Sequence, residues 1–218
     1  SLSTDPSSYG HFGPYTPGFV VVPFGDADAL VRAIDARTVG VLIEPIQGEA
    51  GVLIPPEGYL KRVREVCTRA GAALCFDEIQ TGLGRTGRMF AWQHEGARPD
   101  AITLGKALSG GMYPVSAFCA DGWLMDVFTP GTHGSTYGGN PLAAAVAVAA
   151  LNVLEDERLA ERADELGRHA LARMREALTS ANVREVRGRG LLLAVEYRTK
   201  CAHEACEALA AVGVGEVR

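Results

Sequence analysis

The chain has 218 residues, 47% of them hydrophobic and 22% charged, with 26 glycines and 11 prolines, a balance that fits a folded globular protein and excludes a disordered or low-complexity one. Its formal net charge of −5 gives no general attraction to nucleic acid or to an anionic membrane surface, so any phosphate has to be held by a local site. Apolar runs such as Ala143 to Leu151 fall far short of the ~20 residues that a bilayer-spanning helix needs.

The opening stretch, which starts at Ser1, has no basic segment followed by an apolar one, so no signal peptide is expected. Cys67, Cys75, Cys119, Cys201 and Cys206 show neither CxxC spacing nor histidines at zinc-finger spacing. They are expected to be buried free thiols in a reducing compartment, with no disulfide framework and no structural metal.

In chain order, Ser1 to Pro23 is rich in Ser, Gly and Pro and reads as a structured loop. Asp26 to Ala36 is a short amphipathic helix capped by Asp26, followed by a strand-length apolar run over Val39 to Ile43. Glu57 to Ala70 repeats the helical pattern with Tyr59, Leu60, Val63, Val66 and Cys67 on one side and Gly71 as its stop. Ala72 to Phe76, Ala101 to Leu104 and Val115 to Ala120 are further strand-length runs.

Asn140-Pro141 is a good N-cap and first-turn pair, opening an alanine-rich helix over Leu142 to Leu154 that is expected to be buried, and Asp156 to Leu178 is a long amphipathic helix. From Asn182 the character changes: strands over Val183 to Val186 and Leu191 to Val195 flank a turn at Arg187-Gly188-Arg189-Gly190, and a helix follows over Glu204 to Val212. The expected division is a partial large domain over 1–155 and a partial C-terminal α+β domain over 156–218.

Buried strands separated by helices indicate an α/β fold with a mostly parallel sheet covered on both faces. Chemistry in such sheets sits beyond the carboxyl ends of the strands, and the residues found there are Glu44, Asp77 and Lys106. An acid at the end of a buried strand needs a cation or a donor. Two readings stay open on spacing alone: Asp77 and Lys106 form an ion pair at the sheet rim, or they serve a pyridoxal phosphate site, the amine bonding covalently and the acid keeping the ring nitrogen protonated.

Four longer motifs extend the pattern. They are Glu44-Pro45-Ile46-Gln47-Gly48-Glu49-Ala50-Gly51, the run from Asp77 to Gly87, Leu104-Gly105-Lys106-Ala107-Leu108-Ser109-Gly110-Gly111, and His133-Gly134-Ser135-Thr136-Tyr137-Gly138-Gly139-Asn140-Pro141. Together they resemble the class III (subgroup II) pyridoxal phosphate aminotransferases, over about Leu2 to Leu193. Within that class, Tyr9 to Phe19, Gln47 to Gly51 and Tyr113 to Ala117 are most similar to the ornithine branch, with the acetylornithine branch next.

The resemblance implies the fold of type I pyridoxal phosphate-dependent transferases and transfer of the δ-amino group of ornithine to 2-oxoglutarate. It implies that Lys106 is the Schiff-base lysine and the proton-moving base, that Asp77 pairs with the pyridinium nitrogen, that Gln80 bonds the ring oxygen and that Ile79 packs on a ring face. Thr136, beside Ser135, is implied to reach the cofactor phosphate of a neighbouring subunit, and hence a homodimer. Glu49 is implied to be a substrate gate that alternately pairs with and frees an arginine, and Glu44 a partner behind the cofactor.

His133, Arg85 and Arg88 are expected to be structural or surface groups. Members of the class are longer at both ends, and the segments holding their phosphate cup, ring-stacking aromatic and substrate arginines find no counterpart here; Arg218 is not expected to replace the gate arginine. Another ω-aminotransferase of the acetylornithine or 4-aminobutyrate type, or an inactive truncated fragment, therefore stays open. The expected location is cytoplasmic.

Overall fold

A computed structural model describes residues 2–199 and 201–213; Arg218 lies outside the described residues. After a short helix α1 (Pro6–Tyr9), the chain runs through α2 (Ala27–Ala33), β1 (Gly40–Ile43), α3 (Tyr59–Ala70), β2 (Ala73–Asp77), β3 (Ala101–Leu104), β4 (Ala117–Ala120) and α4 (Gly122–Met125). It continues with α5 (Pro141–Asp156), α6 (Leu159–Ala177), β5 (Val183–Arg189), β6 (Leu192–Tyr197) and α7 (Ala202–Ala211).

The local signals act as their chemistry requires. Asp26 caps α2 by accepting from Ala29 N at 2.8 Å, and Asn140 caps α5 by accepting from Ala143 N at 2.8 Å with Pro141 behind it. Gly71 ends α3 in the left-handed conformation at φ 68°. The five apolar residues of one α3 face, Tyr59, Leu60, Val63, Val66 and Cys67, are all buried and pack with Leu74 and Phe76 of β2 and Leu30 of α2 in the main core.

The sheet has the order β1-β2-β3-β4. β1, β2 and β3 are parallel, with Ile43 opposite Phe76 and Asp77 opposite Thr103. β4 runs antiparallel to β3, so the sheet is mixed. The reason lies in the connections: α3 carries the chain over from β1 to β2, whereas β3 and β4 are joined by a single 3-10 turn, Lys106–Ser109, and left-handed glycines at 110 and 111, too little to cross over. No α-helix joins β2 to β3 either; residues 78–100 form an irregular segment with one 3-10 turn at Ala91–His94.

Asp100 fastens the far end of β2: its Oδ2 accepts from Leu74 N at 2.7 Å and from Arg64 Nη1 of α3 at 2.6 Å, while its own N–H donates to Leu74 O at 2.9 Å. The expectation of a sheet covered on both faces is met in full on one face only: β2 buries Leu74 and Phe76 completely on one side, while its Ala73, Cys75 and Asp77 on the other are half-buried. α2 and α3 pack on the Leu74–Phe76 face and α5 packs through Ala147, Leu151 and Leu154 with Leu104 and Ala117, while Leu42 of β1 and Phe118 of β4 stay exposed at the edges.

Three further expectations are corrected. α5 is not buried: Ala143 is its one buried residue, and Leu142 and Val148 are 57% exposed. Cys119 is exposed on the edge strand β4, although all five cysteines are free and Cys67 is buried. The run Arg187-Gly188-Arg189 belongs to β5, and the hairpin turns at Gly190-Leu191, with Arg189 opposite Leu192.

The hairpin docks through close backbone approach. A Cβ on Gly190 would lie 2.4 Å from Thr86 C, and one on Gly167 of α6 would lie 2.0 Å from Gly190 O, so both positions need glycine. Leu191 N donates to Arg85 O at 2.9 Å in the same contact. The long helical stretch breaks at Glu157-Arg158, where Arg158 has φ 51°, separating α5 from α6.

Candidate active site

The parallel strands deliver Glu44, Asp77 and Lys106 to one edge. Asp77 ends β2 opposite Thr103; its Oδ1 accepts from Ile79 N at 3.0 Å and from Thr103 Oγ1 at 3.1 Å. These two bonds hold the carboxylate and leave Oδ2 with no hydrogen-bond donor among the described residues. Lys106 follows β3 directly and opens the 3-10 turn with φ 44°, a left-handed conformation that a lysine adopts only when its surroundings enforce it. Ile79 lies against Gly105, where an added Cβ would be 3.6 Å from its Cγ1 and Cγ2, so an apolar wall stands beside the lysine.

Asp77 and Lys106 do not form an ion pair. The Lys106 ammonium faces Glu49 instead, with Nζ 3.9 Å from Oε1, and that same oxygen accepts from Gln80 Nε2 at 2.6 Å. Glu49 is 89% exposed, at the tip of a loop closed by paired hydrogen bonds between Gln47 and Leu53. Gln80 and Glu49, given separate roles from the sequence, are thus in contact. Behind them, Glu44 Oε2 accepts from Gly48 N at 3.0 Å. Burial holds the Glu44 carboxyl above its usual range, with the neighbouring Asp77 and Glu49 charges adding to the effect and the Gly48 amide and Lys106 opposing it.

The other expected site residues lie in exposed loop. Ser135 Oγ accepts from Gly138 N at 2.9 Å, and Thr136 is exposed and makes no hydrogen bond with any described residue. His133 stacks edge-on against Phe128 with ring centroids 5.4 Å apart, a structural contact, and Arg85 and Arg88 are exposed. Among the described residues no cluster of three or more His, Cys, Asp or Glu side chains is arranged to hold a metal ion.

Two residues that sequence reasoning passed over support the site. Glu78, between Asp77 and the Ile79-Gln80 pair, is 1% exposed, yet its carboxylate accepts from the Thr81 hydroxyl, from Ala91 N at 3.0 Å and from Trp92 N at 3.0 Å. Burial pushes its carboxyl up, and those three donors partly offset the effect. The signal available in the sequence was a second acid directly after a buried strand, which demands donors, but the donors come from a distant turn. Arg187 of β5 is the second, bonded to carbonyls of the Glu49 loop.

The chain matches the aminotransferase class-III family over residues 5–216 and belongs to it. It is 54% identical over 215 residues to the ornithine aminotransferase of Bordetella pertussis, an alignment covering 98% of this chain and 52% of that protein. A Toxoplasma gondii ornithine aminotransferase structure, described as having partial occupancy of PLP at its active site, superposes with a TM-score of 0.93 at 46% identity over 96% of this chain and 50% of its own. The acetylornithine aminotransferase of Elizabethkingia anophelis superposes with a TM-score of 0.87 at 47% identity, covering 91% of this chain and 54% of its own. The chain therefore spans about half the length of the relatives it matches.

Proposed function

We propose that the protein transfers the δ-amino group of ornithine to 2-oxoglutarate, giving glutamate 5-semialdehyde and glutamate, with pyridoxal phosphate as its cofactor. The observation that carries this is the juxtaposition of Lys106, Glu49 and Gln80 at the strand ends beside a half-satisfied Asp77, in a chain 54% identical to an ornithine aminotransferase. The site residues suit the group: an accessible amine, a fixed carboxylate with one oxygen lacking a donor, and an apolar wall at Ile79.

When bound, pyridoxal phosphate supplies an electron sink for the negative charge that develops on the substrate's amine-bearing carbon. Lys106 Nζ is the amine that would hold the group and, when free, the base that would take a proton from that carbon. Asp77, with Oδ1 fixed by Ile79 N and Thr103 Oγ1, offers Oδ2 to the protonated ring nitrogen. Gln80 Nε2 has a second N–H for the ring oxygen while its first stays on Glu49. Glu49, exposed and held by Gln80, is the carboxylate that exchanges an arginine partner between the two half-reactions, and Glu44 supports its loop through Gly48.

The same reading takes Ser135 and Thr136 as phosphate ligands in the site of a second copy, making the protein a homodimer. The free Thr136 hydroxyl and the exposed apolar residues of α5 support it. We further assign residues 1–155 to the large domain and 156–218 to the small one, a division supported by the break at Arg158, and the protein to the cytoplasm, supported by five free thiols. N-acetylornithine as the amino donor is the second reading, favoured by the 47% identity to an acetylornithine aminotransferase. The test is a donor series on the pyridoxal phosphate-loaded protein. Ornithine reacting at least about tenfold faster than N-acetylornithine and 4-aminobutyrate supports the first reading, and the reverse order supports the second.

A further inference from the structure

Residues 47–53 form a loop pinned at its base, where Gln47 N donates to Leu53 O at 3.1 Å and Leu53 N to Gln47 O at 2.9 Å. Within it, the N–H groups of Gly51 and Val52 both bond Gly48 O at 3.0 Å. Val52 has φ 54°, a conformation disfavoured for a β-branched residue, so the loop needs support from outside itself. That support comes from β5, more than a hundred residues later. Arg187 Nε donates to Gly51 O and to Val52 O at 3.1 Å each, and Nη2 donates to Gly51 O at 2.7 Å. On its other side Nη1 donates to Glu185 Oε2 at 2.8 Å and to Glu196 Oε2, and the side chain is only 13% exposed.

We propose that Arg187 is the positioning residue of the Glu49 loop, joining it to the C-terminal hairpin so that Glu49 stays against Gln80 and Lys106. A guanidinium suits the task because its planar fork reaches two carbonyls and two carboxylates at once, which a lysine ammonium cannot do. Two carboxylates on the hairpin side fix the arginine, and two carbonyls on the loop side are fixed by it. The orientation of the gate carboxylate is thereby set by the fold of the small C-terminal unit. This inference rests on the proposed role of Glu49.

Two measurements test it. The first is hydrogen exchange across residues 47–53 in the parent protein, Arg187→Lys and Glu185→Gln, with no cofactor added. Arg187→Lys is expected to raise exchange of the Gly51, Val52 and Leu53 amides about tenfold, the size expected for losing charge-assisted bonds to backbone carbonyls, with β2 unchanged and Glu185→Gln, which removes one of the two carboxylates that fix the arginine, raising it less. Equal protection in Arg187→Lys, or a rise spread evenly over the whole chain, overturns the proposal.

The second is the ratio of single-turnover rates with ornithine and with glutamate in the pyridoxal phosphate-loaded protein. Arg187→Lys is expected to shift the ratio in the same direction as Glu49→Gln, and the double variant no further than Glu49→Gln alone. A ratio that Glu49→Gln moves and Arg187→Lys does not overturns the positioning role. A ratio unmoved by Glu49→Gln itself overturns the role of Glu49, and the exchange result then decides alone whether Arg187 holds the loop.

Discussion

Glu49 Oε1 accepts a hydrogen bond from Gln80 Nε2 at 2.6 Å, linking the tip of one strand-end loop to the turn that follows the next strand. The same oxygen lies 3.9 Å from Lys106 Nζ, so one carboxylate oxygen touches both the amide and the amine of the site. Glu49 is exposed, and ion pairs at exposed positions contribute little to stability, so this contact adds little to folding.

Gly48 lets this contact form. A Cβ at position 48 would stand 1.9 Å from Gln80 Oε1, and that atom is the end of a movable side chain. Gly48→Ala is therefore expected to fold with a loss of no more than about 1 kcal/mol, since the amide can swing aside, while losing the Glu49–Gln80 bond. Urea unfolding measures the first effect. A pyridoxal phosphate titration measures the second, with affinity expected to fall at least about tenfold, equivalent to ~1.4 kcal/mol.

Glu78 gives a pH signature. Its folded carboxyl sits above the ordinary value of 4.5, chiefly because it is buried, so the folded state binds more protons than the unfolded one between that value and the raised one. The stability it contributes is fully present below about pH 4.5 and is lost as pH rises through the raised value. Glu78→Gln removes this dependence but turns an amide N–H toward the donors Thr81, Ala91 and Trp92, at a cost of ~1–3 kcal/mol. The measured margin of the parent over the variant should be widest in acid and narrow toward neutral pH; a margin that widens with pH contradicts the assignment.

Asp100 tests the far end of the sheet from the chemistry. Asp100→Ala orphans the amide of Leu74, a fully buried residue, and unpairs the mostly buried Arg64. A loss of ~2–4 kcal/mol in chemical denaturation is expected. Because Asp100 lies at the opposite end of β2 from Asp77, cofactor binding by the folded fraction should stay within about twofold of the parent.

What the sequence made legible was local. The Asp26 and Asn140 caps, the five-residue face of α3 and the strand-end positions of Asp77 and Lys106 are each set by a few neighbouring residues, and each is found as expected. What it concealed was non-local. The donors for Glu78 come from residues 91–92, the partners of Arg187 come from residues 51–52, and the reversal of β4 depends on how the Lys106–Ser109 turn packs. Arg187-Gly188-Arg189-Gly190 looks like a turn because its glycines outweigh its arginines; the turn needs only Gly190 and Leu191. α5 looks buried because it is alanine-rich, but among the described residues its outer face meets solvent.

The most direct measurement is the absorbance spectrum of the protein mixed with pyridoxal phosphate, beside that of Lys106→Ala. A shifted cofactor band is expected in the parent, absent from Lys106→Ala and bleached by ornithine. Identical spectra from the two proteins, with no response to ornithine, would contradict the proposed role of Lys106.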